Sequence, residues 1–208
     1  MVGLTSSNDE KLQTGQLLYN AGIKTENLNQ RMTGIELMLQ SGKLPFDVIP
    51  QYNYIAFQVA RNLKDTDKAL KYLDTAMGLG FSDTNINSST MLIDKANLYF
   101  DSDRNAEGLS VLSQAIDASA ASGTKAPEAW YTFGFSKAYN AALDNPALEP
   151  EAYIWAQKRV AAYPTETFCL DAINVVRQFK DFGDKQELDL LRLVRKVGAM
   201  KKSSEFRA

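Results

Sequence analysis

Residues 130–134, WYTFG, set a large aromatic side chain one helical turn before a glycine. A bulky residue followed four positions later by a small one recurs along the chain. The couples are Tyr52 and Ala56, Leu92 and Ala96, Trp130 and Gly134, and Phe168 and Ala172. Their small residues are 40, 38 and 38 positions apart, and a fainter copy begins at Gly15. A small residue lets two helices approach closely while its bulky neighbour fills the adjacent space, so the pattern predicts helix pairs that stack as repeats.

Apolar residues between these couples are spaced as on amphipathic helices. Two such apolar faces are Leu28, Met32, Ile35 and Leu39, and Leu188, Leu191, Val194 and Val197. Alternation of period two does not persist anywhere, so no strands are expected. The second helix of each pair is predicted over 67–79, 105–118, 149–162 and 185–200. The sequence therefore predicts an all-α fold.

Residues 130–164 resemble the tetratricopeptide repeat, a helix-turn-helix motif. Trp130, Phe133 and Gly134 match its first helix, and Ala152 and Pro164 match its second. Weaker copies are Tyr52, Ile55, Ala56 and Val59, then Leu92, Ala96 and Tyr99, then Phe168, Ala172 and Val175. The spacing of these copies exceeds the family's usual repeat of about 34 residues. The chain is thus similar to bacterial tetratricopeptide-like proteins with lengthened repeats.

The resemblance implies a right-handed α-solenoid of about four to five helix-turn-helix repeats, closed by a C-terminal capping helix from Lys185. HEAT-like or other α-solenoid packing stays an alternative because the repeats are long. Residues 1–10 are expected to be a disordered N-terminus, residues 11–200 a single repeat domain, and residues 201–208 a C-terminal tail.

Composition argues against most catalytic and cofactor chemistry. The chain has no His, which removes the commonest general base and zinc ligand, and its single Cys169 is expected to be a buried thiol. No metal site, cofactor or enzymatic activity is predicted. Lys and Arg number 23 against 25 Asp and Glu, so nucleic-acid binding is not expected. No apolar run is long enough to insert into a membrane. No signal peptide is recognisable at the start of the sequence, and the choice between a cytoplasmic and a periplasmic location is left open.

The first helices of stacked pairs line a concave groove, where a peptide could bind. If the small residues mark the packed side, the groove is predicted to carry Asn53, Phe57, Arg61, Asn97, Phe100, Tyr131 and Phe135. Aromatic rings offer apolar area, and an Asn amide can pair with a peptide N–H and C=O together. Simple core packing is the alternative for the aromatic members. Ile93 and Tyr131 stand where a carboxylate clamp has lysines, so a co-chaperone of that type is not expected.

The resemblance implies a non-enzymatic scaffold that binds a peptide, or a segment of a protein partner of unknown identity, in this groove. Homo-oligomerisation is left open. One alternative is a helical accessory domain of a larger enzyme or of a secretion or envelope assembly. Another is a sugar- or lipid-binding enzyme with a deep pocket and a Glu whose pKa is raised.

Overall fold

The computed structural model describes residues 7–179 and 183–198. Within these ranges the chain forms ten α-helices and no strand, apart from one isolated bridge between Asp83 and Ile86. The helices are α1 Asn8–Lys24, α2 Leu28–Gln40, α3 Ile49–Asn62, α4 Thr66–Gly78, α5 Ser88–Asp101, α6 Asn105–Ala121, α7 Glu128–Asp144, α8 Glu149–Ala162, α9 Glu166–Gln178 and α10 Asp184–Val197. Short 3-10 turns at Phe46–Val48 and Pro146–Leu148 precede α3 and α8. The predicted all-α fold is confirmed.

The N-terminal boundary differs from the prediction. α1 begins at Asn8, so the expectation of disorder is wrong for residues 8–10. Ser7 Oγ accepts a hydrogen bond from the backbone N–H of Glu10 at 3.1 Å, and the Glu10 carboxylate accepts one from Ser7 N–H at 2.9 Å. This reciprocal capping satisfies two N–H groups that a helix start otherwise leaves unpaired. Residues 1–6, the predicted tail 201–208 and the last two residues of the predicted final helix lie outside the described residues.

The chain divides into two compact units, Met1–Val111 and Leu112–Ala208, called unit 1 and unit 2 below. The sequence predicted one repeat domain over 11–200. The boundary falls within α6, whose first part, residues 105–111, belongs to unit 1.

In unit 1, glycines allow α1 and α2 to pack backbone against backbone. A Cβ atom built on Gly34 would lie 2.5 Å from the backbone N of Tyr19 and 2.7 Å from the carbonyl oxygen of Gly15. The pair α3 and α4 packs through fully buried alanines, among them Ala56 and Ala69. α5 then packs on α4. The small residue predicted at each close approach in this unit is therefore confirmed at Gly15 and Ala56.

Unit 2 repeats the same packing with larger partners. Gly134 of α7 lies directly against the ring of Trp155 on α8, a side chain with no exposed surface. Ala172 of α9 is fully buried as well. The terminal helix α10 packs on α8 and α9 and buries Leu190 and Val194 completely. Helix hairpins with a small residue at each close approach form the tetratricopeptide-like fold that the sequence predicted.

A polar contact links the hairpins of unit 1. One carboxylate oxygen of Glu36 on α2 accepts hydrogen bonds from Lys68 Nζ at 3.1 Å and from the Tyr72 hydroxyl at 3.2 Å, both on α4. Burial, reinforced by the Glu36 charge, raises the pKa of Tyr72 from 10.0 to about 12. The folded chain therefore holds the phenolic proton more tightly than the unfolded chain does.

This raised pKa predicts a loss of stability in alkaline solution. The stabilisation is fully present below pH 10 and is lost as the pH rises through about 12, because the unfolded chain releases the proton first. Two pKa units correspond to about 3 kcal/mol of unfolding free energy. Urea unfolding across this pH range should show the loss in the wild type and a shallower slope in Tyr72→Phe. Tyr19→Phe controls for loss of a hydroxyl in the same unit, and parallel slopes for wild type and Tyr72→Phe would contradict the prediction.

Candidate binding surface

Three of the predicted groove residues in unit 1 are buried, so their predicted exposure to solvent is wrong. Phe57 is 1% exposed and packs against the ring of Tyr54 with centroids 5.3 Å apart. Asn53 donates its side-chain N–H to the carbonyl of Ile49 at 2.9 Å, one turn earlier on the same helix. The Phe100 ring rests on Gly108 of α6, where a Cβ would approach it to 2.5 Å. These side chains form the core rather than a surface.

Phe135 in unit 2 is buried too, which corrects the same prediction there. Its ring stacks on Tyr139 with centroids 6.0 Å apart, and the guanidinium of Arg159 lies 4.1 Å from its centroid. Arg159 also lies 4.4 Å from the ring of Phe168 and donates to Asp171 at 3.3 Å. A charged group is thus held between two aromatic faces, an arrangement that cation–π attraction stabilises. Burial lowers the pKa of Arg159, and the Asp171 carboxylate opposes that shift.

The other three predicted residues, Arg61, Asn97 and Tyr131, keep contact with solvent. The Arg61 side chain is 44% exposed, and Asn97 and Tyr131 are half-buried. Tyr131 packs edge-to-face on Tyr163 with centroids 5.7 Å apart. Arg61 and Asn97 belong to unit 1 and Tyr131 to unit 2.

Arg61 takes part in a polar cluster, the Asp94 cluster, formed by Tyr54 and Arg61 on α3 and Asp94 on α5. Arg61 Nη1 donates to one carboxylate oxygen of Asp94 at 3.2 Å, and the Tyr54 hydroxyl lies 3.5 Å from the other. Tyr54 is held in turn by Phe81, whose ring stacks on it with centroids 4.7 Å apart. Arg61 and Tyr54 therefore fix the position of the Asp94 carboxylate between α3 and α5.

Sequence reasoning missed Tyr54 and Asp94, although a signal was present. Each residue stands two positions before the small residue of its repeat, Ala56 and Ala96. Equivalent positions of adjacent repeats lie side by side in a stack, so a Tyr and an Asp at such positions can meet. Comparing equivalent positions between repeats would have indicated the pair.

Burial raises the pKa of Asp94, while Arg61 and the hydrogen bond from Tyr54 act in the opposite direction. Burial and the Asp94 charge raise the pKa of Tyr54. The carboxylate is thus partly desolvated, with its side chain 25% exposed, and Arg61 compensates its charge.

The direction of this shift predicts the behaviour of two substitutions. A raised carboxyl pKa means that this group stabilises the fold most below its ordinary pKa of 3.8, and that the contribution declines as the pH rises through the shifted value. Asp94→Asn should therefore be as stable as the wild type at about pH 7, or more stable by up to about 1 kcal/mol. Arg61→Gln should lower the free energy of unfolding by roughly 1 kcal/mol at about pH 7. The loss should be smaller at about pH 4, where more of the Asp94 carboxyl is protonated. Urea unfolding of each variant and the wild type at these two pH values measures both differences, and a cost of Arg61→Gln that does not change with pH would contradict the prediction.

A cleft of about 560 Å³ opens beside the Asp94 cluster. It lies at the turn between α3 and α4 and along the end of α5, and its lining is mixed in charge. The lining residues are Arg61, Asn62, Lys64, Thr66, Leu98 and Asp101. Such a surface offers donors and acceptors to a polypeptide backbone.

Four observations on the described residues bear on the enzymatic and membrane alternatives. The sugar- or lipid-enzyme hypothesis needs a Glu with a raised pKa, whereas the resolved Glu shift is at Glu107, whose pKa is lowered by hydrogen bonds from its own backbone N–H and from Arg104. Cys169 has no exposed surface, as predicted, and burial raises the pKa of its thiol. Across residues 7–179 and 183–198, no group of three or more His, Cys, Asp or Glu is placed to hold a metal ion. None of the helices described there has the length and apolarity to cross a membrane.

Comparison with known proteins gives matches to solved structures alone. No protein-family model matches the sequence, and no curated protein does. The chain is similar to the MamA RS-1 ArsTM double mutant, at 14% identity over 90% of this chain and 94% of that one, with a TM-score of 0.48. It is similar to MamA 41-end from Desulfovibrio magneticus RS-1, at 14% identity over 93% and 98%, with a TM-score of 0.47. It is also similar to YrrB, described as a TPR protein with an unusual peptide-binding site, at 11% identity over 90% and 84%, with a TM-score of 0.46.

Proposed function

We propose that this chain is a non-enzymatic protein-interaction scaffold that binds a peptide or protein segment on the surface of its first helices. In unit 1 the binding residues are Arg61 and Asn97, supported by Asp94. In unit 2 Tyr131 is the corresponding residue. The Asp94 cluster is the observation that carries the proposal.

Arg61 is prepared for binding by its own ion pair. A guanidinium has five N–H donors. Arg61 donates from one nitrogen, Nη1, to the carboxylate of Asp94. The remaining donors can bind a carbonyl or a carboxylate of a partner. Because Asp94 already restricts the side chain, less conformational entropy is lost when a partner binds.

Asn97 supplies the complementary chemistry on α5. It lies three positions after Asp94, about one helical turn, and so on the same side of the helix. Its amide can donate to a peptide carbonyl and accept from a peptide N–H at the same time. The cleft beside Arg61 adds the exposed ends of α3 and α5, which lengthens the surface available to an extended segment.

The test compares two double variants in affinity capture from lysate of the organism that encodes the chain. Arg61→Ala/Asn97→Ala should recover about tenfold less of the partner than the wild type does, the loss expected when one or two central contacts are truncated. Asn20→Ala/Lys24→Ala is the matched control, because it removes one exposed amide and one exposed cation from α1 of the same unit. Tyr131→Ala tests unit 2 separately.

Circular dichroism should show that all variants keep their helical content. Equal recovery by both double variants, or recovery of no protein by the wild type, would contradict the proposal.

A further inference from the structure

A second surface, on α1 of unit 1, is exposed to solvent but carries no charge along most of its length. Residues 12–23 contain no Asp, Glu, Lys or Arg, although five of their side chains are exposed. Leu17, in the middle of this run, is 72% exposed. Solvated helix faces are normally rich in charge, whereas the centres of protein interfaces are depleted of it. This part of α1 therefore has the composition of an interface.

Opposite charges stand at equal distances on either side of Leu17. Glu10 lies seven positions before it and Lys24 seven positions after it, and all three side chains are exposed. Seven residues make about two helical turns, so these side chains share one face of α1 and each charge lies about 10 Å along the axis from Leu17. We call this face the α1 stripe. Its members are Glu10, Gln13, Leu17, Asn20 and Lys24.

The two ends of the α1 stripe differ in charge. Glu10 Oε2 accepts the backbone N–H of Ser7 at 2.9 Å, which holds the carboxylate at the start of the helix. Lys24 lies in the last turn and forms no ion pair within the described part of the chain. Asp9, beside Glu10, is paired with Lys43 at 3.3 Å, so its charge is compensated within unit 1. The stripe thus has an acidic end, an uncharged centre and a basic end.

This pattern is self-complementary about a two-fold axis. If two copies of α1 pack antiparallel with Leu17 on the axis, Glu10 of one copy meets Lys24 of the other, and the symmetry forms that pair twice. The antiparallel helix dipoles favour the same arrangement. A parallel pairing would instead place like charges together at both ends, which is repulsive. A surface that matches itself in one orientation points to a second copy of the chain as its occupant.

We infer that the chain forms a two-fold dimer through the α1 stripe, with Leu17 of one copy packed against Leu17 of the other. The leucines supply the apolar burial, and the end pairs set the antiparallel orientation, because exposed ion pairs add little affinity. One helix from each copy gives an interface at the small end of the usual range, so the dimer is weak, with a Kd on the order of 10–100 µM.

Sedimentation velocity of the full chain over about 1 to 300 µM measures the association. The wild type should shift from monomer to dimer as its concentration rises. Leu17→Lys should raise the dimer Kd by tenfold or more, because it places two cations at the axis. Lys24→Glu should raise it about threefold, because each end then brings two carboxylates together. Lys71→Glu, which reverses an exposed cation on α4 of the same unit, is the matched control and should leave the Kd unchanged.

Disulfide trapping determines the orientation of the two helices. Two cysteines at the axis can bond, since a disulfide needs Cα atoms within about 7 Å, whereas the two residues at position 24 lie roughly 20 Å apart in the antiparallel dimer. Oxidation with copper phenanthroline should therefore give a covalent dimer of Leu17→Cys and little or none of Lys24→Cys. The wild type is the blank, because Cys169 has no exposed surface.

Several results would overturn the inference. These are a wild type that stays monomeric over the whole range, a dimer that Leu17→Lys leaves intact, and equal cross-linking at positions 17 and 24. Protection of Leu17→Cys from a thiol reagent in the monomer would also overturn it, because another segment of the chain would then cover the stripe. Circular dichroism should show unchanged helical content in every variant, since Leu17 and Lys24 are exposed.

The dimer and the proposed partner binding can fail separately. Arg61 and Asn97 lie on α3 and α5, so one copy of the chain can bind a partner through them without the α1 stripe. Asn20→Ala/Lys24→Ala should therefore weaken the dimer while it captures as much partner as the wild type does.

Discussion

Replacing Gly34 by alanine should lower the stability of unit 1 by about 3 kcal/mol. The added Cβ would lie 2.5 Å from the backbone N of Tyr19 and 2.7 Å from the carbonyl oxygen of Gly15. Both contacts are to backbone, so no rotamer change can relieve them and α1 must move away from α2. The loss is large because tightly packed helices cannot separate slightly without losing contacts along their whole length.

Gly78→Ala provides the matched control. Gly78 is also helical and in unit 1, but a Cβ there would meet no atom within 4 Å. Alanine at that position should stabilise the chain by about 0.5 to 1 kcal/mol, because it restricts the unfolded backbone. Urea unfolding followed by circular dichroism measures both variants. Similar free energies of unfolding for Gly34→Ala and Gly78→Ala would show that the backbones of α1 and α2 are not in close contact at Gly34.

Replacing Gly134 by alanine should destabilise unit 2 by about 2 to 3 kcal/mol. The new Cβ would collide with the Trp155 ring, which is fully buried and whose Nε1 donates to Glu151 at 2.9 Å. The ring therefore has no space into which it can turn. Both tryptophans of the chain, Trp130 and Trp155, lie in unit 2, so tryptophan fluorescence reports its unfolding directly.

A double-mutant cycle identifies the cause of this loss. Trp155→Leu alone should be costly because it leaves a cavity. In that background, however, Gly134→Ala should cost less than about 1 kcal/mol, since the colliding atoms are gone. Additive costs would mean that the ring is not what restricts position 134.

The sequence predicted the helices and their pairing better than the surface. A small residue lies where α1 packs on α2, where α3 packs on α4 and where α7 packs on α8, and Gly134 against Trp155 shows why such a residue is a reliable signal. The same pattern does not tell which remaining sides of a first helix a neighbouring hairpin covers. Phe57 immediately follows Ala56, and the pattern predicts it on the groove side, yet it is among the most buried residues of unit 1.

The polar contacts were missed for a different reason. A buried Arg is rare, so Arg159 on α8 gave no hint that it lies between two aromatic rings. Asp94 and Tyr54 are 40 positions apart, and they come together only through the stacking of neighbouring repeats. Contacts of this kind depend on the exact superposition of hairpins, which residue spacing does not define.

The placement of Arg159 constrains how this sequence can diverge. Its guanidinium is flat and fits between Phe135 and Phe168, whereas the tetrahedral ammonium of lysine cannot stack on two faces at once. Preserving the positive charge is therefore not enough to preserve the site. Loss of either ring would leave the buried cation with one aromatic face and its ion pair to Asp171. In related sequences, Phe135, Arg159 and Phe168 should therefore be retained together, or all three positions should carry apolar residues that pack without a charge.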